Sequence, residues 1–310
     1  TTVTLADIQS AARRIQGHIR LTPVMDAAPM KTPAPCERLT LKLECLQVTG
    51  SFKPRGATSC LTLLDDSDRR QGLVTASGGN HGLGVAYAGW TNNVPVTVYV
   101  PSNTPPAKIA KIEAWNATVV VEGDVWDDAN AAALQKASQS GLTYIHPFAD
   151  PGVIAGQGTV GLEILDQAPE IGTVIVSIGG GGLIAGVATA IKAIRPDIRI
   201  IGVEPVGAPT HLESRRAGGL VTLSDITTEA GTLAPRRSEP LNFDIISKSV
   251  DDILLVSDDE MRAAARWLWF EMGVAAELSG AAALAALRSG RVEGGHVCVL
   301  VCGAGTDGHD

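Results

Sequence analysis

A strand-like run, four consecutive glycines and a helix-like run follow one another in the segment TVIVSIGGGGLIAGVATAIK, residues 173–192. Consecutive glycines allow several backbone N–H groups to converge on one anion, and the N-terminus of the following helix adds a partial positive charge. No Lys or Arg lies between Thr173 and Ile191, so backbone dipoles alone would bind a phosphate here. A glycine turn that lets a strand and a helix pack closely is the alternative, but four glycines in this context favour a phosphate site.

This glycine segment departs from the familiar nucleotide motifs. No G-K-[ST] follows the glycines, which excludes a Walker loop, and the loose G-x-G-x-x-G spacing is weak evidence for a dinucleotide.

The rest of the chain alternates short β-branched runs with segments of helical spacing, which predicts a parallel α/β sheet covered by helices. The length of 310 residues fits about two domains. Because no Pro-, Gly- and Ser-rich tether separates two halves, we expect the domains to be interleaved. The predicted strands are 39–45, 73–77, 95–100, 117–123, 173–179, 198–204, 252–257 and 297–302, and helical segments include 80–91, 125–140, 182–195 and 258–272.

Charge and cysteine content restrict the class of partner. The formal net charge of −8 argues against nucleic acid as a partner. We find neither a signal peptide nor an apolar run of membrane-spanning length. The five cysteines are odd in number and lack C-x-x-C spacing, which predicts reduced thiols in a cytoplasmic protein without membrane association.

A lysine in an unusual place lies in TGSFKPRGA, residues 49–57. Lys42, in the strand LTLKLEC, shares the polar face with Thr40 and Glu44 and so looks like an ordinary solvent-facing lysine. Lys53 instead lies between Phe52 and Pro54, and a proline suits the first position of a helix. A desolvated lysine amine is a better nucleophile. A surface lysine at a helix start is the alternative, but an amine together with a phosphate site predicts pyridoxal 5′-phosphate (PLP) as cofactor.

A third glycine-containing loop lies in TASGGNHGLGVAYAG, residues 75–89, between a predicted strand and a helix. Ser77, Asn80 and His81 cluster where that helix begins, and such a loop can donate hydrogen bonds to a substrate carboxylate. Asn80 is also a candidate partner for a ring hydroxyl of the cofactor. The alternative is a helix cap with an incidental histidine.

Together these motifs resemble the fold-type-II PLP enzymes, specifically the branch of serine/threonine dehydratases (ammonia-lyases) and serine racemases. The resemblance implies a tryptophan-synthase-β-like fold of two interleaved domains, each an open, mostly parallel twisted sheet covered by helices. A small domain, 47–145, would be inserted in a large domain formed by 1–46 and 146–310. The matching segments are IRLTPV, KLECLQVTGSFKPRGA, SGGNHG, AGQGTVGLEIL, GGGGLIAG, GVEP and CGAG, in family order.

The resemblance assigns roles to individual residues. Lys53 would form the imine with the cofactor and act with Ser77 in catalysis, and Phe52 would pack beside the ring. Asn80 would contact the ring hydroxyl, and Cys302 would face the pyridine nitrogen. The phosphate would lie on Gly179, Gly180, Gly181 and Gly182, and the substrate carboxylate on Ser77, Gly78, Asn80 and His81.

The implied activity is β-elimination from a β-hydroxy amino acid such as threonine, serine, 3-hydroxyaspartate or phenylserine, giving a 2-oxo acid and ammonia. Racemases of this branch carry a serine where this chain has Gly78, which favours elimination. An amino-acid racemase or a β-replacement enzyme is the alternative within the family, and a non-catalytic nucleotide-binding module is a remote one. The resemblance also implies a homodimer.

Two further features concern a cation and the substrate. Relatives bind a cation where this chain has Glu204, Ala208 and Thr210; one carboxylate with carbonyl and hydroxyl oxygens suits a monovalent cation. A helix-capping glutamate without a metal is the alternative. In the predicted substrate loop, Arg236 and Arg237 are candidates for binding a second carboxylate of the substrate, with a solvated surface loop as the alternative.

The chain ends eight residues after Cys302, so we expect a catabolic enzyme without a regulatory domain.

Overall fold

Two separate β-sheets form the framework of the molecule. A computed structural model describes residues 2 to 305. A six-stranded sheet has the order β1-β2-β10-β7-β8-β9, and a four-stranded sheet has the order β5-β4-β3-β6. The strands are β1 (Val24–Asp26), β2 (Arg38–Leu43), β3 (Leu73–Ala76), β4 (Val96–Val100), β5 (Thr118–Val121), β6 (Thr143–Tyr144), β7 (Thr173–Ser177), β8 (Arg199–Pro205), β9 (Asp252–Val256) and β10 (His296–Val301).

Helices connect and cover these strands. The α-helices of the described residues are α1 (Leu5–Ile15), α2 (Lys53–Leu61), α3 (Asp66–Gln71), α4 (Asn80–Asn92), α5 (Pro106–Glu113), α6 (Trp126–Ser140), α7 (Pro151–Gln167), α8 (Gly182–Ile194), α9 (Thr210–Ala217), α10 (Pro240–Ser249), α11 (Asp258–Met272) and α12 (Leu278–Arg288). Several start at an N-cap that the sequence supplies. At the start of α11, for example, Ser257 accepts from the N–H of Glu260, while the Glu260 carboxylate accepts from the N–H of Ser257.

The observed architecture confirms the predicted α/β class with mostly parallel sheets. All pairings except that of β1 with β2 are parallel. Each predicted strand is present, and only the short strands β1 and β6 were missed. The four-stranded sheet uses strands from 73–144, and the six-stranded sheet uses strands from 24–43 and 173–301. The predicted domain boundaries themselves stay a prediction.

Both faces of the six-stranded sheet are buried, as its central strand β10 shows. Cys298, Leu300 and Cys302 belong to the core under α7 and α8. Val297 and Val299 belong to the core on the other face, where α12 lies. Burying one such aliphatic side chain contributes roughly 1.5–3 kcal/mol. The carboxyl end of β10 is therefore fixed between two packed layers.

The interpretation of Lys42 as a solvent-facing lysine is wrong. Its side chain is fully buried, because the face of β2 that reads as polar is covered. Lys42 Nζ donates to Glu163 Oε2 at 2.6 Å, to the carbonyl of Thr22 at 2.7 Å and to Gln167 Oε1 at 2.8 Å. A buried ammonium with three acceptors is stable where an isolated one would not be.

None of the helices in residues 2 to 305 combines the length and apolar character that crossing a membrane requires.

Candidate active site

One cavity of about 1090 Å³ brings the predicted site residues together. It lies at the carboxyl ends of β3, β7 and β10, where parallel sheets commonly bind ligands. The predicted residues that line it are Phe52, Lys53, Ser77, Gly78, Asn80, His81, Gly179, Gly180, Gly181, Gly182 and Cys302. Residues from four distant parts of the sequence thus line one cavity, as the motifs predict. Their assigned roles remain proposals.

Lys53 is the first residue of α2, and its amine points into the cavity. Nζ donates to the carbonyl of Pro147 at 2.7 Å and lies 5.2 Å from the centroid of the Phe52 ring. Burial lowers the pKa of Lys53 to about 8. Pro54 occupies the second helical position rather than the first. The amine therefore loses its proton far more easily than an exposed lysine does.

The glycine loop has the geometry of an anion site. Gly181 has a φ of +92°, and a Cβ on Gly180 would lie 2.2 Å from the Phe148 ring, so neither position accepts a side chain. Helix α8 begins here without a side-chain cap, and the N–H groups of the loop donate to no described residue. Ser238 and Asn242 donate to the Gly180 carbonyl at 3.0 and 2.9 Å, which fixes the peptide orientation.

The asparagine loop begins α4. Asn80 Nδ2 donates to Glu277 Oε1 at 2.7 Å, while its Oδ1 is buried without a partner among the described residues. Ser77 Oγ accepts from the N–H of Gly79 at 3.2 Å. His81 Nε2 lies 3.0 Å from the Ile145 carbonyl, and burial lowers the pKa of His81 well below its ordinary value. The His81 ring is thus neutral and engaged with the backbone carbonyl of Ile145.

Cys302 follows the last residue of β10 and is buried. Its Sγ lies 3.5 Å from the Ser279 carbonyl, and burial raises the pKa of the thiol. The side chain is accordingly a neutral thiol and not a thiolate.

Glu277 is a site residue that sequence reasoning missed. It is the N-cap residue of α12, lines the cavity and accepts from Asn80. Burial raises the pKa of its carboxyl. The only sequence signal was a single acidic residue before an alanine-rich helix, which is too common to indicate a site.

The three predicted cation ligands lie outside this cavity. Glu204 accepts from the N–H groups of His211 and Leu212 at 2.7 and 2.9 Å, so it caps α9. Thr210 Oγ1 donates to the Pro235 carbonyl at 2.7 Å. Among residues 2 to 305, no cluster of three or more His, Cys, Asp or Glu suits a metal ion. This geometry is that of a helix-capping glutamate, and the cation site stays a prediction.

Unpartnered polar groups test whether the cavity fits PLP. Asn80 Oδ1 and Ser177 Oγ are buried without a hydrogen-bond partner among the described residues, and both residues line the cavity. The glycine loop adds free N–H donors at one end, and Lys53 supplies an amine. The acceptor Asn80 Oδ1 suits a ring hydroxyl, the free N–H groups suit a phosphate and the Lys53 amine suits an aldehyde, so the residues present fit the cofactor.

Comparison with known families agrees with this fit. The family model described as "Pyridoxal-phosphate dependent enzyme" matches residues 15–303. The chain belongs to that family. Members of the family depend on pyridoxal phosphate, and PLP is therefore the cofactor of this protein.

Three relatives illustrate the similarity within the PLP family. The chain is 37% identical to an L-threonine ammonia-lyase of Thermotoga maritima over 98% of this chain and 76% of that protein. It is 38% identical to a phenylserine dehydratase of Ralstonia pickettii, over 99% and 95%. The structure of maize serine racemase superposes with a TM-score of 0.92 at 33% identity, covering 98% of this chain and 94% of that one.

Proposed function

We propose that this protein is an ammonia-lyase that removes the β-hydroxyl group of a β-hydroxy amino acid as water and releases a 2-oxo acid and ammonia. The observation that carries the proposal is the Lys53 amine, held in the cavity between the glycine loop and the asparagine loop. The similarity to a threonine ammonia-lyase and a phenylserine dehydratase supports the same reaction.

The residues present assign a place to each part of PLP. The N–H groups of Gly179 to Gly182 would hold the phosphate, Asn80 the ring hydroxyl and Cys302 the ring nitrogen. When bound, the cofactor supplies an aldehyde that joins the amino group of the substrate and withdraws electron density from Cα. Because burial keeps the Cys302 thiol neutral, it would hold the ring nitrogen without giving it a full positive charge, and the moderate electron withdrawal that such a cofactor would supply suits prompt loss of a β-substituent.

Lys53 is the base in this proposal. Its Nζ would remove the proton from the substrate Cα. A base is most effective when its pKa lies near the working pH, and burial brings the pKa of Lys53 to about 8. Elimination of the hydroxyl group then needs no second base on the opposite face.

The asparagine loop would bind the substrate carboxylate. Helix α4 begins at Asn80 without a side-chain cap, so the N–H groups of its first turn are free to donate to an anion. Ser77 and Gly78 lie at the carboxyl end of β3 on the same cavity wall. Ser77 is proposed to assist catalysis from this position.

Gly78 favours elimination over racemisation, since a racemase needs an acid on the face opposite Lys53. A Cβ on Gly78 would lie 2.9 Å from Thr104 Cγ2, so the space a serine would need is partly filled. The similarity to maize serine racemase keeps racemisation as the second candidate. Membership of the PLP family leaves the nucleotide-binding module without support.

An apolar group and a basic group of side chains line the cavity, beside the acidic residues Asp127 and Glu239. Val125 and Trp126 are 53% and 42% exposed, and the Trp126 indole N–H donates to the Ala76 carbonyl at 2.9 Å. Arg236 and Arg237 are exposed, and among residues 2 to 305 they donate to two backbone carbonyls and to the Thr222 hydroxyl. The apolar wall suits an aryl group, and the arginines suit a second carboxylate.

The test is an assay of 2-oxo acid release from threonine, serine, 3-hydroxyaspartate and phenylserine without an added nucleophile. We expect stoichiometric ammonia, and no activity in Lys53→Ala. Interconversion of L- and D-amino acid without ammonia would instead identify a racemase. A cytoplasmic homodimer, a small domain at 47–145 and a monovalent cation at Glu204 are further proposals.

A further inference from the structure

Arg55 lies two residues after Lys53, in the first turn of α2, and its side chain is fully buried. Nε and Nη2 donate to Glu44 at 2.7 and 2.8 Å. Nη1 and Nη2 donate to Glu163 at 2.6 and 2.8 Å. Each carboxylate is bound through two parallel hydrogen bonds, which fixes the orientation of the guanidinium as well as its position. We call Lys42, Glu44, Arg55 and Glu163 the Arg55 cluster.

The members of the Arg55 cluster come from three different elements. Lys42 lies in β2, and Glu44 directly follows that strand of the six-stranded sheet. Glu163 lies in α7, and Lys42 also donates to it at 2.6 Å. Two cations and two carboxylates leave the cluster without net charge, which is how buried charges become tolerable. Helix α2 packs closely against α7 through Gly56 and Gly156, and the cluster adds ion pairs that link the first turn of α2 to the six-stranded sheet and to α7.

The start of α2 has few other attachments through side chains. Phe52, its N-cap residue, makes no side-chain capping hydrogen bond. The Phe52 N–H donates to the Cys302 carbonyl at 3.2 Å, and Lys53 Nζ donates to the Pro147 carbonyl and lies over the Phe52 ring. The polar side-chain contacts that fix the first turn of α2 therefore converge on Arg55.

We propose that Arg55 is a positioning residue for Lys53: its two carboxylate clamps hold the first turn of α2 so that the lysine amine stays aligned with the substrate Cα. Arg55 itself does not reach the cavity. The inference rests on the proposed function in one respect, that Lys53 is the base.

The experiment compares two variants. Arg55→Lys keeps the positive charge but loses the two parallel hydrogen bonds to each carboxylate, and Glu163→Gln keeps the shape of the side chain but loses its negative charge. Arg215→Lys is the matched control, because Arg215 also anchors helices, through the carbonyls of Ile246 and Val250. Each variant is assayed with unlabelled and Cα-deuterated substrate, and rates are expressed per mole of bound PLP.

We expect kcat of Arg55→Lys to fall by about 100-fold, the cost of roughly 1 Å of misalignment, with KM almost unchanged. The isotope effect on kcat should rise, because proton removal by Lys53 becomes slower. Glu163→Gln should change both quantities in the same direction, and Arg215→Lys should change neither. A merely structural role predicts less folded protein but an unchanged isotope effect per site, and that result overturns the proposal.

A failure of the proposed function can be distinguished from a failure of this inference. If the wild-type protein releases no 2-oxo acid from any substrate, the proposed function fails. The pH midpoint of the visible cofactor absorbance then serves as the readout, since it reports the surroundings of Lys53 without turnover. A shifted midpoint in Arg55→Lys but not in Arg215→Lys supports positioning, and an unshifted midpoint in both overturns it.

Discussion

Replacing Lys53 by methionine in the protein freed of PLP should stabilise the fold at neutral pH. Burial lowers the pKa of Lys53 from 10.5 in the unfolded chain to about 8 in the folded protein. The amine therefore binds its proton less tightly in the folded state than in the unfolded state. The folded protein therefore holds fewer protons than the unfolded one between pH 8 and pH 10.5. Stability from this group rises with pH across that window and is lowest below it.

The size of the effect follows from the pKa shift. One pKa unit corresponds to about 1.4 kcal/mol, so the buried amine costs about 3 kcal/mol at pH 7 and less than about 1 kcal/mol at pH 10. Methionine removes this pH-dependent cost while keeping a side chain of similar length. The stability advantage of Lys53→Met over wild type should then shrink by about 2 kcal/mol between pH 7 and pH 10.

Urea unfolding of both apoproteins at pH 7 and pH 10 measures this difference, and other titrating groups cancel because both proteins share them. Lys136→Met, on the exposed side of α6, is the control and should show a difference from wild type that does not vary with pH. If the advantage of Lys53→Met is equally independent of pH, the amine is well solvated, and the argument for Lys53 as a reactive base fails.

Three further substitutions test other parts of the site. Gly180→Ala places a methyl group 2.2 Å from the Phe148 ring and should weaken PLP binding about tenfold to hundredfold, as fluorescence titration would measure, whereas Gly219→Ala, with open space around it, should not. Gly78→Ser combined with Thr104→Ala, which removes the methyl group 2.9 Å from the new Cβ, supplies an acid opposite the lysine and should raise the ratio of racemisation to ammonia release above that of Thr104→Ala alone; an unchanged ratio by chiral chromatography contradicts the proposed role of this position. Glu277→Gln replaces a charge-assisted hydrogen bond by a neutral one and should lower PLP affinity about fivefold, a loss of about 1 kcal/mol; equal affinities would show that this carboxylate does not support the cofactor site.

The predictable part of this protein lies in contiguous segments. The glycine loop and the asparagine loop each combine a strand, a turn and a helix within about twenty residues, so local pattern fixes both the element order and the chemistry offered at the turn. Parallel sheets then place these turns at one edge. The position of Lys53 in the site was predictable because Lys53 lies between Phe52 and Pro54 at a predicted helix start. It is not part of an alternating strand whose polar face would point to solvent.

The unpredictable part depends on partners that are distant in sequence. Lys42 reads as polar by alternation, but its partner Glu163 lies 121 residues away, and no local pattern indicates that α7 covers this face. Glu277 meets Asn80 across 197 residues. The strands β1 and β6, of three and two residues, are too short for any periodicity to register.

The neutrality of the Arg55 cluster restricts how this chain can change over time. Replacing one of its four members by a neutral residue leaves an unpaired opposite charge buried in the interior, whereas replacing one cation and one carboxylate together leaves no unpaired charge. Substitutions at these positions should therefore occur in compensated pairs, and descendants of the same ancestor should keep or lose a cation and a carboxylate together.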